Sequence, residues 1–425
     1  MAWNSQRFVR AGELAGVDAD ILNNAVIIAE QTLRVQSSGP PILTLGHLAH
    51  LSGQSVKYLR SLVSREGEDP YRQFTIRKRP VPNQSPRLRF IAVPEPQLMS
   101  LLRWILSEIL EKAPCHPASS AFAPESKLFN AAFKHRGAQW LIKVDVRDFF
   151  ESITEIDVYR VFLERGYQPL TALELARICT RLRDVHREKG SIATRNRRSS
   201  MRTPNGIGEY NSRIMGTLAQ GAPTSPMLAN LAVRALDEKL QGVSEKFGVR
   251  YTRYADDIIL STTDKTFGRQ RSIQLVGEIY AALGLYGLAP NTSKTLIVPP
   301  GARKVVLGLL VDGSKPKLTR EFRAKMRMHL HFLLHEGVGP RAHAANRGFS
   351  SVEGLRQHLL GLIAFAGQVD LPYALRYKNL FRSIDLERRR HLTSSQSESP
   401  LRLGWKHLLE PAGATLGSIR RSHPT

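Results

Sequence analysis

Apolar and polar residues change their spacing along the chain, and each change predicts a different element. Over 12–65 the apolar positions recur every three or four residues, most clearly in 44–52 and 56–63, which predicts helices. Further on, the spacing becomes that of strands. Segments 74–78 and 87–93 are rich in β-branched, aromatic and other apolar residues and flank a stretch of Pro, Asn and Ser, so they predict two strands joined by a turn.

The middle of the chain alternates short apolar strands with helices. The strands are predicted at 141–146, 249–254, 257–261 and 305–311, and the helices at about 95–111, 227–240 and 271–285. The second and third of these strands would form a hairpin with Ala255 and Asp256 at its turn. Beyond Thr319 the pattern is almost entirely helical. The mixture predicts an α+β fold in which an antiparallel sheet is backed by helices.

The charge of the chain points to a polyanionic partner. Lys and Arg number 61 and Asp and Glu number 37, which leaves a net charge of +24. The two cysteines exclude a disulfide scaffold and a cysteine-built zinc site. The first residues lack an apolar signal-peptide core, and the longest strongly apolar stretch, 359–367, is about half the length of a membrane helix. We therefore expect a cytoplasmic protein that acts on nucleic acid and has no membrane partner.

One polar segment, 181–213, concentrates positive charge. It carries nine Lys or Arg against three acids, with few apolar residues between them. Such a composition predicts a mobile, solvated loop. We expect Arg195, Arg197 and Arg198 to contact nucleic acid phosphates. The alternative is an insertion that only increases solubility.

Three carboxylates are placed where a cation is needed. Asp145 ends an apolar strand, and Asp256 and Asp257 stand at the turn of the predicted hairpin. Adjacent carboxylates at a buried sheet repel each other and resist desolvation, although hairpin turns also favour Asp for local reasons. If the strand of Asp145 lies beside the hairpin, the three would hold two Mg²⁺ ions about 4 Å apart, an arrangement suited to phosphoryl transfer.

The ordered set of motifs resembles the palm of a reverse transcriptase. Tyr254-Ala-Asp-Asp257 follows the strand that carries Asp145 and Phe150, with Gln220-Gly-Ala-Pro-Thr-Ser-Pro226 between them. The Ala-Pro-Thr-Ser form is most similar to bacterial retron-type reverse transcriptases. The resemblance implies a right-hand polymerase fold with fingers, an antiparallel palm sheet and a helical thumb. Its implied parts are an N-terminal helical extension at 1–70, fingers and palm at 71–304, the thumb at 305–393 and a C-terminal tail at 394–425.

The resemblance also implies roles for single residues around the metals. Asp145, Asp256 and Asp257 would be the catalytic residues that hold two Mg²⁺ ions. Phe150 would be the aromatic gate that excludes a ribose 2′-OH, and its alternative is a core residue beside Phe149.

A further four residues are implied to bind the nucleotide. Gln220 and Gly221 would line the nucleotide pocket, and Arg89 would grip the triphosphate. Lys294 would protonate the leaving pyrophosphate. An exposed strand Arg and a surface Lys are the alternatives for the last two.

Three departures from the family pattern leave the metal residues untouched. Ala219 stands where Pro is usual before the Gln, Asn130 is displaced relative to His135, and 306–308 reads Val-Leu-Gly where Val-Thr-Gly is common. The implied function is an RNA-directed DNA polymerase that extends a primer or a 2′-OH of a cognate noncoding RNA. Its partners would be that RNA, the DNA product, dNTPs and a separate effector protein in antiphage defence. The alternatives are another defence-type or group II intron-like reverse transcriptase, and a noncatalytic RNA-binding scaffold.

Overall fold

The computed structural model describes residues 3–36, 39–77, 88–123, 126–182, 215–335 and 337–382. It divides into two compact units, Met1–Lys304 and Val305–Thr425, and each is described separately below. The predicted α+β class is confirmed, because helices combine with antiparallel sheets. Arg195, Arg197, Arg198 and the tail from 394 lie outside the described residues.

Four helices open the first unit, as the apolar spacing predicted. Asn4, Asp18, Thr44 and Ser55 each begin a helix, and their side chains accept hydrogen bonds from N–H groups of the first turn. Leu48 and Leu59 join the same hydrophobic core as the central sheet. The helices are α1 (Ser5–Leu14), α2 (Ala19–Val35), α3 (Leu45–Ser52) and α4 (Val56–Ser64).

Strands β1 (Tyr71–Arg77) and β2 (Leu88–Pro94) pair antiparallel, which confirms the first predicted hairpin. Helix α5 (Pro96–Ile105) follows and continues as a π-helical turn, Leu106–Leu110. The chain then forms α6 (Leu128–Phe133) and enters the central sheet.

The central sheet has four antiparallel strands in the order β4-β5-β3-β6. Its strands are β3 (Trp140–Asp145), β4 (Arg250–Tyr254), β5 (Asp257–Thr262) and β6 (Leu296–Val298). Leu141, Ile142 and Val144 are buried almost completely, so β3 is covered on both faces. The helices of this region are α7 (Phe149–Ser152), α8 (Glu155–Glu164), α9 (Pro169–Cys179), α10 (Ser225–Ala232), α11 (Arg234–Phe247) and α12 (Arg269–Leu285).

The single helix predicted at 227–240 was wrong in its continuity. The chain forms two helices there, which meet at Val233 with φ −100° and ψ 16°. Apolar spacing continues across the break because both helices bury a face against the same core. Periodicity alone therefore did not reveal the change of direction.

The second unit begins with a three-stranded antiparallel sheet of β7 (Val305–Val306), β8 (Leu309–Leu310) and β9 (Lys317–Leu318). The single strand predicted at 305–311 was wrong, because Leu307 and Gly308 have φ of 49° and 80° and turn the chain back.

Helices make up most of the rest of the second unit. They are α13 (Arg320–Leu334), α14 (Gly339–Asn346), α15 (Val352–Gly367) and α16 (Leu371–Arg382). The helical pattern predicted beyond Thr319 is confirmed as far as residue 382. Within the described ranges no helix is long and apolar enough to span a membrane.

Candidate active site

The three predicted carboxylates come together at one end of the central sheet. Strand β3 pairs with β5 so that Asp145 stands directly opposite Asp257. Asp256 occupies the preceding turn, where Ala255 adopts a left-handed φ of 54°. The carbonyl of Asp256 accepts a hydrogen bond of 2.9 Å from the N–H of Val146. The side-by-side placement expected from the sequence is therefore what the structure shows.

Asp145 is held by two groups from the segment before β6. The ammonium of Lys294 donates to both carboxylate oxygens, at 2.9 and 2.8 Å, and the Asn291 side-chain amide donates to Oδ1 at 3.0 Å. The backbone N–H of Asn291 also donates to the Asp145 carbonyl at 2.7 Å. Lys294 is thus directed at the carboxylates although 46 % of its side chain is exposed. Sequence reasoning missed Asn291, whose only signal was its place three residues before Lys294.

Burial destabilises the charged forms of the two acids of the turn. Burial and the neighbouring Asp257 raise the pKa of Asp256. Burial also raises the pKa of Asp257, where Lys143 opposes and Asp145 reinforces the shift. Both shifts mean that the deprotonated pair is less stable in the folded protein than in water, and a bound cation would offset that cost.

The carboxylates fit a divalent cation whose coordination is completed by substrate. Across the ranges that the structure describes, no three His, Cys, Asp or Glu residues are grouped closely enough to hold a metal ion alone. Asp145 is engaged with Lys294 instead. Mg²⁺ usually takes one or two protein carboxylates and adds phosphate oxygens and water, so this arrangement suits an ion that arrives with a nucleotide.

The buried guanidinium of Arg253 holds the turn through a hydrogen bond to the Ala255 carbonyl. Arg253 is completely buried and binds Asp237 of α11 through Nε and Nη2, at 2.7 and 2.6 Å. Its Nη1 donates to the Asn230 side chain at 3.0 Å and to the Ala255 carbonyl at 3.1 Å. Arg253 therefore connects α10 and α11 to the strained residue of the turn. The local sequence did not reveal this role of Arg253, because its partner Asp237 lies 16 residues earlier in the chain.

Phe150 and Phe149 have different surroundings. A left-handed Asp148 (φ 45°) starts the short helix α7 that carries both rings. Phe149 is buried, whereas Phe150 is only partly buried and lies 5.7 Å from it between ring centroids. The ring of Phe150 also approaches Phe122, at 6.4 Å. Phe149 is thus part of the buried core, and Phe150 packs against that core with part of its ring exposed.

The predicted nucleotide loop contacts strand β2. The N–H of Ala92 donates to the Gln220 carbonyl at 2.9 Å. Gly221 has a φ of 132°, and a Cβ there would lie 2.5 Å from the Ala92 carbonyl oxygen, so only glycine fits. Arg89 is exposed on β2, three residues before Ala92. The structure therefore brings the Gln220 loop and the strand of Arg89 together.

His135 connects strands β4 and β5 of the hairpin that carries Asp256 and Asp257. Its ring bonds to Ser261 and Thr252 at 2.7 Å each. Burial lowers the pKa of His135 to about 3, so the ring is neutral at physiological pH. Its role in the described structure is to fix β4 and β5, while the displaced Asn130 is exposed on α6.

Comparisons with known proteins agree with this geometry. The family model described as reverse transcriptase (RNA-dependent DNA polymerase) matches residues 76–304. The chain is similar to the retron Ec86 reverse transcriptase of Escherichia coli, with 29 % identity over 71 % of this chain and 82 % of that protein. It is also similar to the retron Mx162 reverse transcriptase of Myxococcus xanthus, with 27 % identity over 78 % and 67 %.

A solved structure of telomerase from Candida albicans with a fragment of telomeric RNA also matches. It has a TM-score of 0.41 and 14 % identity, over 83 % of this chain and 60 % of that chain.

Proposed function

Since the chain belongs to the reverse transcriptase (RNA-dependent DNA polymerase) family and is an RNA-directed DNA polymerase of retron type, we propose that it copies one cognate noncoding RNA into DNA. We place it in the cytoplasm of a bacterium, where a separate effector protein would use the RNA–DNA product in antiphage defence. The observation that carries the polymerase reaction is the register pairing of Asp145 with Asp257, next to Asp256.

The proposed reaction joins a nucleotide to a hydroxyl. The hydroxyl oxygen of the primer 3′ end, or of an RNA 2′-OH, releases its proton to water and attacks the α-phosphorus of a dNTP, and the bond between that phosphorus and pyrophosphate breaks. Asp145, Asp256 and Asp257 would hold two Mg²⁺ ions, which when bound supply charge neutralisation for the attacking and leaving oxygens. Lys294 lies 2.8 Å from Asp145, so release from that carboxylate would free its ammonium to give a proton to pyrophosphate.

The nucleotide pocket is proposed between the fingers and the central sheet. Gly221 lets the loop backbone lie close to β2, and Gln220 is hydrogen-bonded to that strand through its carbonyl. Arg89 on the same strand would bind the triphosphate. Phe150 would close the pocket beneath the sugar. In this division 71–304 forms fingers and palm, 305–393 the thumb, 1–70 a helical extension and 394–425 a tail.

The function is tested by measuring DNA synthesis by the purified protein on an RNA template. With Mg²⁺ and labelled dNTPs, the protein should produce DNA covalently joined to a primer or to the RNA that copurifies with it. Sequencing that RNA should return one dominant species. A protein that binds RNA but incorporates no dNTP would instead be a noncatalytic scaffold, and a random mixture of RNAs would contradict a cognate template.

Phe150→Ala should raise the use of ribonucleotides relative to deoxyribonucleotides, on the order of tenfold or more, because the space of a 2′-OH is opened. The measurement is kcat/KM for a dNTP and the matching rNTP. Phe129→Leu is the control, since that ring stacks on Phe133, at 5.9 Å between ring centroids, and should leave the ratio unchanged. An unchanged ratio in a folded Phe150→Ala protein would rule out the gate.

Neutralising the basic segment should reduce the salt dependence of RNA binding. Replacing Arg195, Arg197 and Arg198 with Gln should lower the slope of log affinity against log salt by about one unit for each phosphate that the protein no longer neutralises. Binding titrations at several salt concentrations measure the slope. The decrease should be similar for unrelated RNAs, because phosphate contacts carry no sequence information. Equal slopes in variant and wild type would exclude the segment from the interface.

A further inference from the structure

An exposed aromatic ring beside the catalytic turn has no role in the reaction described so far. Phe122 is 42 % exposed. Its ring centroid lies 6.4 Å from that of Phe150 and 6.3 Å from that of Tyr254, with tilted planes in both pairs. The ring therefore bridges the proposed sugar gate and the first residue of the Tyr-Ala-Asp-Asp turn. These spacings are those of favourable aromatic contacts.

The backbone of Phe122 adopts a conformation that is unfavourable for a bulky side chain. Its φ is 64°, in the left-handed region that a bulky aromatic side chain rarely adopts. Strained backbone persists only where neighbouring structure imposes it, and such positions cluster at functional sites.

The N–H of Ala123 donates to the Ala121 carbonyl at 2.9 Å, which closes a tight turn around Phe122, and Arg253 and Asn230 hold the residues that lead into it. Backbone groups of Arg253 bond to the Ala118 carbonyl at 2.9 Å and the Ser120 N–H at 2.8 Å, and its guanidinium reaches Ser119 Oγ at 3.3 Å. The Asn230 side chain donates to the Ala121 carbonyl at 2.7 Å. The segment before Phe122 is thus fixed to the strand that leads into the turn. The same Arg253 also holds Ala255, so the ring and the catalytic turn are positioned by one network.

We propose that Phe122 is a specificity-determining residue for nucleotide selection, which acts by holding the Phe150 ring against the sugar of the incoming nucleotide. Phe150 is only partly buried and sits on a helix of four residues, where it packs against the hydrophobic core and against Phe149. Phe122 supplies the support on another side. Without it, the Phe150 ring gains rotational freedom and excludes a 2′-OH less strictly. The inference rests on the proposed gate role of Phe150.

The test compares Phe122→Leu, Phe122→Gly, Phe150→Ala and the double variant Phe122→Leu/Phe150→Ala. Leu keeps apolar volume and the backbone strain, whereas Gly removes the ring and fits the left-handed φ. Single-nucleotide incorporation gives kcat/KM for a dNTP and the matching rNTP. Both substrates encounter the same population of active protein, so the ratio does not depend on how much of a variant is folded. Phe129→Leu is the matched control, because that ring stacks on Phe133 at 5.9 Å.

Both Phe122 variants should raise relative ribonucleotide use by on the order of threefold to tenfold, and the double variant should match Phe150→Ala. Unchanged ratios in both Phe122 variants, with a raised ratio in Phe150→Ala, would overturn this inference and leave the gate standing. Fully additive effects, or an effect of Gly alone, would also overturn it, because Phe122 would then act independently of Phe150 or through its backbone. An unchanged ratio in Phe150→Ala would refute the gate itself, and the inference with it.

Discussion

Asp256→Asn is expected to reduce DNA synthesis to below about a few per cent of wild type, because the substitution removes a charge that a divalent cation requires. The side chain keeps nearly the same shape, and Asp256 lies away from the basic segment along the sequence. RNA affinity should therefore stay within about twofold of wild type. Primer extension and RNA binding are measured on the same preparation. Substantial polymerisation by the variant would contradict the assignment of Asp256.

The same substitution should also affect the stability of the protein in the absence of metal. The pKa of Asp256 is raised by burial and by Asp257, so the folded protein binds the proton more tightly than the unfolded chain. The stabilisation from protonation is complete below the unfolded pKa and is lost as pH rises through the folded pKa. At neutral pH without divalent cations, Asp256→Asn should therefore unfold at an equal or higher temperature than wild type.

Mg²⁺ should raise the unfolding temperature of wild type more than that of Asp256→Asn, because only wild type presents the full set of carboxylates. Asp264→Asn is the matched control, since that exposed carboxylate caps a short helix just past β5 and Asn can keep the cap. It should retain both polymerisation and the response to Mg²⁺. An equal response to Mg²⁺ in wild type and Asp256→Asn would remove Asp256 from the metal site.

Arg253→Met should destabilise the protein by about 3–5 kcal/mol, because it leaves the carboxylate of Asp237 buried without its partner. Both side chains of this ion pair are completely buried. The double variant Arg253→Met/Asp237→Leu should recover part of this loss, since it removes the stranded charge as well. Urea unfolding provides the free energies. Arg250→Met is the control on the same strand, where an exposed Arg donates only to two carbonyls and its removal should cost about 1 kcal/mol.

Measurements of DNA synthesis should separate the contribution of Arg253 to stability from its positioning of the turn. The double variant regains stability, yet no guanidinium remains to hold the Ala255 carbonyl or the segment of Ser119. DNA synthesis should therefore remain impaired at temperatures where the double variant is fully folded. Full activity in that variant would show that Arg253 serves stability alone. An Arg253→Met protein as stable as wild type would contradict the buried ion pair itself.

Local sequence was sufficient to predict most of the helices and strands and to single out the acids of the turn as candidates. The two hairpins at 71–94 and 250–262 were predictable because alternating and β-branched residues flank turn residues. Asp256 and Asp257 stood out because two adjacent acids beside Ile258, Ile259 and Leu260 would be unfavourable without a cation. The motif order then identified the fold class.

Periodicity failed where a turn replaced a continuous element. Val233 and Leu307 carry apolar side chains that fit the surrounding pattern, and both are followed by a new direction of the chain. For Leu307 the decisive quantity is a positive φ, which a hydrophobic pattern does not encode. Only Gly308 beside it hinted at a turn.

The sequence by itself indicated the residues that we propose to carry the chemistry, namely the three carboxylates, Lys294 and the loop of Gln220. The tertiary structure alone decided which partners hold them: Asn291 on Asp145, Asp237 beneath Arg253, and Phe122 against Phe150. The first group could be predicted because charge and motif spacing are local properties. The second could not, because strand pairing and helix packing join residues from 16 to 146 positions apart, and such pairings follow from the shared core rather than from neighbouring residues.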